Sequence, residues 1–252
     1  FENKADATAP AHKVVITDTL DLSRFNIKDF YFSDISFGDT VISPQNGLKE
    51  FTADINLNPA KELIVRINAM LDTVKGVAIW EFLSLDPKTM ALTDSIELGF
   101  LPPNINKPEG EGSVSFIIGL KDSLNNNDII KNKAYVYFDY NDPIITNEYI
   151  NTIDTENPLS AVSALAPFNT DSVFTVSWNG TDNGSGIRYY SVFVTTNDMD
   201  TIEWKSQTTD TSAVFNAKPG NFYKFFSIAT DNIGNIESKT SFDTETSILT
   251  AL

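Results

Sequence analysis

The chain has 252 residues, of which 18 are Lys or Arg and 34 are Asp or Glu, so its formal net charge is −16. Phosphate groups repel a chain this acidic, which argues against nucleic-acid binding and against docking on anionic membranes. The absence of cysteine excludes disulfides, thiolate metal sites and cysteine nucleophiles, and no apolar run approaches the roughly 18 residues of a membrane-spanning helix, so membrane insertion is not expected.

Short runs in which apolar residues alternate with polar ones recur through the first part of the chain, a pattern typical of β-strands. In chain order the runs are HKVVITDTL (12–20), FTADINL (51–57), LIVRINA (63–69), VAIWEFLSL (77–85), SVSFIIGL (113–120) and KAYVYFDY (133–140). Clusters of Gly, Pro, Asn and Asp separate these runs and predict turns.

Two segments do not follow this alternation. Residues 22–32 have partial helical spacing, with Phe25, Asp29 and Phe32 roughly aligned on one face. Residues 122–130, DSLNNNDII, fit either one helical turn or a polar loop. We predict that both segments are connections between strands.

The alternating pattern breaks at residues 151–158, NTIDTENP, and a new one begins at Leu159. We therefore predict one domain over residues 1–157 and a second over residues 158–252. The second segment, about 95 residues long, has the size of a single immunoglobulin-like module. Many short strands separated by turns predict an all-β fold class with two tandem antiparallel β-sandwich domains.

The second half contains the strand-like runs VFTVSW (173–178), IRYYSVFV (187–194) and YKFFSIATD (223–231). With Trp178 at the end of the second strand, this order resembles a fibronectin type III-like or bacterial immunoglobulin-like domain. The resemblance implies that Trp178 lies in the core and that Tyr223 is the corner tyrosine whose hydroxyl bonds nearby backbone. The loops DNGSGI (182–187) and ATDNIGN (229–235) also resemble recurring segments of large secreted bacterial proteins.

The first half contains FENKADATAPA (1–11), VITDTLD (15–21), GFLPPN (99–104), GEG (110–112) and VYFDYNDP (136–143). These segments resemble a module of large bacterial surface and exported proteins that is related to adhesin repeats and whose molecular function is not established. The resemblance implies that residues 1–3 are the tail of a strand, so the N-terminal strand is expected to be truncated in this sequence.

Catalysis is not expected. A serine or threonine nucleophile needs a nearby base, and the single imidazole, His12, precedes a predicted strand and is interpreted as a surface residue. Glycosidases need two facing acids, and Glu109 with Glu111 or Asp139 with Asp142 are close in sequence. Because loops on an acidic surface carry such pairs anyway, a carboxylate hydrolase is a third interpretation that would require a deep cleft. No motif requires a cofactor.

The three tryptophans raise the alternative of a carbohydrate-binding surface. Trp178 and Trp80 alternate with apolar neighbours and are predicted to lie in the cores. Trp204 has polar neighbours, so it either is exposed or caps the sandwich. Tyr135 and Tyr137 share one face of a strand and form either an aromatic strip or a cross-strand packing pair.

Calcium is the ligand that the sequence favours, because calcium takes six to eight oxygens from carboxylates, amides and carbonyls. In a fibronectin-like module the loops that carry Asp182 and Asp231 lie side by side, and the N-terminal linker brings Asp154 to the same end. Asp142 lies in DYNDP, which resembles the acidic junction segments of cadherin-type tandems. We expect these four residues to approach one another where the two domains meet. The alternative is that they are ordinary turn formers.

The predicted function is that of a non-catalytic structural, spacer or adhesion module in a large exported bacterial protein, secreted or at the cell surface. Its expected partners are neighbouring domains of the same polypeptide and a cell-surface glycan or protein. The absence of cysteine suits export, although it fits the cytosol equally well. The alternative is an accessory glycan-binding tandem of a secreted polysaccharide-degrading enzyme, which would present an exposed, coplanar aromatic pair.

Overall fold

The computed structural model describes residues 1–250, which form two compact units. The first unit contains Phe1–Leu124 and Ile130–Asn151, and the second contains Asn125–Ile129 and the residues from Thr152 onward. Every regular element in the described residues is a β-strand, which confirms the predicted all-β fold class. Accordingly, the described chain contains no helix that could cross a membrane.

The first unit is built from two facing sheets and a small third one. In chain order the strands are β1 (Lys13–Thr19), β2 (Phe25–Phe37), β3 (Thr40–Ile42), β4 (Glu50–Asn56), β5 (Ile64–Asp72), β6 (Val77–Leu85), β7 (Gly112–Leu120), β8 (Ile129–Asn132), β9 (Ala134–Phe138), β10 (Ile144–Ile145) and β11 (Tyr149–Thr152). The large sheet has the order β10-β9-β1-β6-β5-β4, the facing sheet β3-β2-β7, and the small sheet β11-β8.

Alternation along the strands creates the core of the first unit. Val14 and Ile16 of β1 and Trp80 and Phe82 of β6 point to the same side of the large sheet and are buried. Aromatic rings from β2 meet them, since the Phe32 ring centroid lies 5.4 Å from that of Trp80. This contact makes the first unit a β-sandwich and confirms that Trp80 is a core residue.

The prediction that residues 22–32 form a connection is wrong, because β2 starts at Phe25. Asn26 pairs with Gly119 of β7 and Tyr31 pairs with Ile117, so four residues of β2 oppose a single residue of β7. This irregularity shifts the alternation and produces the helix-like spacing of the apolar residues. The Lys49 ammonium donates to the carbonyl oxygens of the bulged segment, at 3.2 Å to Ile27, 2.8 Å to Lys28 and 2.5 Å to Phe30.

Residues 122–128 form a polar loop with turns and contain no helical turn. Strand β8 starts directly after this loop, at Ile129. Residues 1–3 run beside the segment that leads into β7: Asn3 N–H donates to the Gly110 carbonyl at 2.9 Å, and Gly112 N–H donates to the Phe1 carbonyl at 2.9 Å. The segment therefore forms a short antiparallel pairing at the edge of β7.

The second unit is a sandwich of three strands against five. Its strands are β12 (Leu159–Val162), β13 (Phe168–Asn169), β14 (Val173–Thr181), β15 (Ile187–Thr196), β16 (Thr201–Thr208), β17 (Ser212–Asn216), β18 (Phe222–Asp231) and β19 (Thr244–Ile248). The sheets have the orders β12-β14-β17 and β13-β19-β18-β15-β16. In the described residues of this unit, β13 and β19 are parallel and the other pairs are antiparallel. This strand order is the immunoglobulin-like sandwich of fibronectin type III-like domains.

The predicted core residues of the second unit are confirmed. Trp178 and Tyr223 are both buried, and the Tyr223 hydroxyl accepts a hydrogen bond from the Lys218 N–H at 2.9 Å. Trp204 caps the core, because its ring packs edge to face on Trp178 and on Phe215, with centroids 6.1 and 5.2 Å apart. Of the two alternatives for Trp204, exposure is therefore wrong.

Candidate metal centre

Three acidic residues come together at one end of the second unit. Asp154 lies between β11 and β12, Asp182 follows β14, and Asp231 is the last residue of β18. Asp231 pairs with Ile187 at the start of β15, so the loop that follows Asp182 ends beside it. One carboxylate oxygen from each of the three residues lies within 4.8 Å of the other two.

Asp154 is held against the loop that follows Asp182. Only 8% of Asp154 is exposed, and its Oδ2 accepts a hydrogen bond of 2.6 Å from the Ser185 N–H. Its Oδ1 accepts a bond of 3.2 Å from the Glu156 N–H. Hydrogen bonding from Ser185, followed by that from Glu156, holds the pKa of Asp154 below its ordinary value although burial acts in the opposite direction. Asp154 is therefore favoured as a carboxylate.

Asp182 organises its own loop with one oxygen. Its Oδ2 accepts from the Gly184 N–H at 3.1 Å and from the Gly186 N–H at 2.6 Å. Its Oδ1 is buried and has no hydrogen-bond partner among the described residues. A buried carboxylate oxygen without a donor is costly, so Asp182 has an unused ligand position.

Asp231 is fully buried at 0% exposure. Its Oδ1 accepts hydrogen bonds from the N–H groups of three consecutive residues, at 3.0 Å from Ile233, 2.7 Å from Gly234 and 2.8 Å from Asn235. Asn235 also donates its Nδ2 to Oδ2 at 2.8 Å. Backbone donors thus fix the position of this carboxyl group.

Asparagine side chains join the surrounding loops. Asn232 Nδ2 donates to the Ser185 carbonyl at 2.7 Å, and Asn235 Nδ2 donates to the Glu156 carbonyl at 3.1 Å. Asn126 Nδ2 donates to the Asn183 carbonyl at 2.8 Å. The contribution of Asn126 is not predictable from the sequence, because Asn126 belongs to the short segment Asn125–Ile129, which is separated from the rest of the second unit along the chain.

The electrostatics of the three-carboxylate group favour a cation. In the described residues of the second unit, the ion pairs of Lys224 and Lys239 are made with acids other than Asp154, Asp182 and Asp231. Carboxylate oxygens are the ligands that hard divalent cations prefer, and calcium completes its coordination with carbonyls or water. The turn-forming alternative also has support, since each carboxylate accepts backbone N–H groups of its own loop or a neighbouring one. The two roles are compatible at Asp154 and Asp182, which accept two hydrogen bonds each and keep unused lone pairs. Asp231 accepts four hydrogen bonds, so a cation would have to share its oxygens with those donors.

The fourth candidate, Asp142, lies outside the second unit, so its expected approach to the other three stays a prediction. Asp142 belongs to the first unit and is exposed in the segment between β9 and β10. Of the sequence-adjacent acids considered for catalysis, Asp139 accepts the N–H groups of His12 and Lys13 at 2.9 and 2.8 Å, which is a structural role in its loop. His12 is half-buried.

Residues 85–152 match a family described as "Domain of unknown function (DUF7619)", which covers part of the first unit. No curated protein sequence matches the chain.

Several solved structures resemble the chain at low identity. The fibronectin(III)-like modules of CbhA from Clostridium thermocellum are 11% identical over 97% of this chain and 81% of that one, with a TM-score of 0.29. The FN1–FN3 domains of chicken CNTN1 are 11% identical over 93% and 94%, with a TM-score of 0.33. A β-1,2-glucanase from Parabacteroides distasonis is 12% identical over 100% of this chain and 30% of that one, with a TM-score of 0.28.

Proposed function

We propose that the chain is a non-catalytic structural spacer in an exported, cell-surface bacterial polypeptide, and that its second unit binds calcium through Asp154, Asp182 and Asp231. The observation that carries the calcium proposal is the placement of three carboxylate oxygens within 4.8 Å of one another by three separate segments. Like charges this close oppose the shared ionised state unless a cation compensates them. The neighbouring domains of the same polypeptide are the proposed partners.

The structural role is supported by the hydrogen bonds that acidic side chains accept in both units. Asp139 accepts backbone N–H groups in the first unit, and Asp243 accepts the Val162 and Ser227 N–H groups at 2.9 and 3.0 Å in the second. Asn104 is buried, and its amide bridges Glu2 and Glu111 at 2.6 and 2.9 Å. These carboxylates accept hydrogen bonds from other parts of the same chain, which is a structural use of acidic side chains.

Calcium would join the three segments that the carboxylates come from. The segments are the linker at Asp154, the loop after Asp182 and the turn after Asp231. Because most residues of these segments are exposed or half-buried, a cation shared by all three would restrict their opening. Magnesium is expected to stabilise less, since it demands near-octahedral geometry and gives up water reluctantly.

The test is thermal melting of the purified chain in chelator, in millimolar calcium and in millimolar magnesium. Calcium at a hundredfold excess over Kd would stabilise the folded state by about 2.7 kcal/mol. Asp182→Asn should lose most of the calcium response, because it removes the oxygen that lacks a protein partner. The matched control is Asp210→Asn, an exposed residue of the same unit, which should respond like the parent. Equal melting temperatures in chelator and in calcium would contradict the calcium proposal and show that the three aspartates are turn formers only.

Glycan binding is less well supported. Phe193 and Phe226 stack on each other, with centroids 4.8 Å apart and planes at 10°, which covers one face of each ring, and Trp204 packs on the core. A sugar-binding platform needs free aromatic faces. A glycan array with and without calcium checks this alternative directly, and specific binding to one glycan class would favour it over a spacer role.

A further inference from the structure

Asp18 is an acidic residue in an apolar position of the first unit. It follows Val14 and Ile16 on the core-facing side of β1, and only 5% of it is exposed. Its direct neighbours in the sheet are two alanines, Ala78 of β6 and Ala134 of β9. The small neighbours leave room for the carboxyl group but offer it no polar partner.

A single side chain bonds the Asp18 carboxyl group. Asn132, the last residue of β8, donates its Nδ2 to Asp18 Oδ2 at 2.7 Å. Asp18 Oδ1 and Asn132 Oδ1 are both buried, and neither has a hydrogen-bond partner among the described residues. If Asp18 is ionised, the pair holds two buried acceptors and no donor for them. One proton on Asp18 would supply the missing donor.

The charged residues nearby do not compensate an ionised Asp18. Lys131 of β8 pairs with Glu148 at 3.0 Å, and the Lys133 ammonium lies 6.0 Å from the centroid of the Tyr135 ring. The other ion pairs described in the first unit, those of Lys13, Arg66, Lys75 and Lys107, are likewise made with acids other than Asp18. Burial therefore raises the pKa of Asp18 above its ordinary value, and the bond from Asn132 only partly opposes this effect.

From this arrangement we infer that Asp18 is a proton-operated latch: its protonated carboxyl group pairs with Asn132 and holds β8 against β1, and loss of the proton releases β8. Among the described residues, β8 pairs in a sheet with β11 and not with β1, so the bond between Asn132 and Asp18 is a side-chain tie between β8 and β1. The side chain of Ile130, which also belongs to β8, is buried as well and helps to hold the strand in place. Release would therefore loosen β8 and β11 while the two main sheets of the unit stay paired.

The sign of the pH dependence follows from linkage. The ordinary pKa of an aspartate is about 3.9, and the folded state of Asp18 holds its proton more tightly than that. The contribution of the latch is therefore fully present below about pH 3.9 and is lost as pH rises through the folded-state pKa. Carboxylates such as Asp72, whose pKa is lowered by backbone hydrogen bonds from Lys75, act in the opposite direction. A comparison with a variant at Asp18 separates the two effects.

The variant Asp18→Asn mimics the protonated acid, since its amide can accept from Asn132 Nδ2 and donate to Asn132 Oδ1. In chelator, its melting temperature should match the parent's at low pH and exceed it increasingly as pH rises from 4 to 8. Exposed Asp122→Asn is the control and should show a constant difference from the parent. Hydrogen exchange should show β8 and β11 losing protection with rising pH in the parent only, after correction for intrinsic exchange.

Carbon-13 titration of the parent supplies a readout that does not depend on the folding of a variant. The Asp18 carboxyl resonance should titrate above the ordinary aspartate range. Titration at or below the ordinary range, or a melting difference between Asp18→Asn and the parent that is constant with pH, would overturn the latch.

Discussion

The carboxylate of Asp154 occupies the space that a side chain at residue 184 would need. A Cβ placed on Gly184 would lie 2.3 Å from Asp154 Cγ, which no real Cβ contact permits. The glycine therefore allows the linker carboxylate to reach the Ser185 N–H and to approach Asp182 and Asp231.

Gly184→Ala should separate Asp154 from the other two carboxylates. Either the loop or the carboxylate must move, and overpacking of this kind costs about 1–3 kcal/mol. We expect a lower melting temperature in chelator and the loss of the calcium response. Asn183→Ala changes an exposed side chain of the same loop and should keep that response. A Gly184→Ala variant that binds calcium like the parent would show that the proposed ligand set is wrong.

Trp178 is the largest buried side chain of the second unit. Trp178→Ala should cost about 3–5 kcal/mol of unfolding free energy, because it empties an aromatic core site. Tyr223→Phe should cost on the order of 1 kcal/mol, since it removes the hydroxyl that accepts the Lys218 N–H. Urea denaturation in chelator measures both. Val173→Ala, exposed on the same strand as Trp178, is the control, and a Trp178→Ala cost as small as the control's would contradict the core assignment.

Regular alternation made most of the fold predictable from sequence. β1, β4, β5, β6 and β7 were predicted because every second residue faces a core. β2 was missed because its bulge against β7 interrupts the period of two. Alternation in β16 shows which residues lie on the same face of the strand as Trp204. It does not show whether that face is exposed or packs on Trp178, so the sequence alone left both alternatives for Trp204 open.

The candidate site was partly predictable for a similar reason. Loop adjacency in a fibronectin-like sandwich places Asp182 beside Asp231, whereas nothing local in the sequence connects Asn126 to Asn183. Asp18 did carry a signal, since it shares the apolar face of Val14 and Ile16. An acid at an inward strand position is the pattern that marks such a buried group.

Lys239 should be essential to the second unit, because it is buried between two carboxylates. Its ammonium lies 3.3 Å from Glu237 and 3.0 Å from Asp243, and only 12% of its side chain is exposed. It also donates to the Ser160 carbonyl. Glu237 in turn accepts the Ser160 and Ala229 N–H groups at 3.0 Å each, so the cluster joins β12 to β18 across the two sheets.

Lys239→Met should cost about 3–5 kcal/mol, since breaking a buried ion pair leaves uncompensated charges. Guanidinium unfolding in chelator gives the value. The comparison variant is Lys224→Met, whose partner Asp198 is largely exposed, and its cost should be far smaller. Equal effects of the two substitutions would mean that the buried cluster does not hold β12 in place.

Acid should weaken both the second unit and its response to calcium through Asp154. Hydrogen bonding from Ser185 lowers the pKa of this carboxyl group in the folded state, so its contribution is present above about pH 3.9, the ordinary aspartate value, and is lost as pH falls through the folded-state pKa. Protons also compete with calcium for the same oxygens. In chelator, Asp154→Asn should therefore differ from the parent most at neutral pH, and the difference should shrink in acid.

Melting curves between pH 2 and 7, with and without calcium, measure both effects. A difference between Asp154→Asn and the parent that grows toward acid pH would show that Asp154 is not held as a carboxylate. A calcium stabilisation that persists unchanged below pH 3 would show that the cation binds elsewhere.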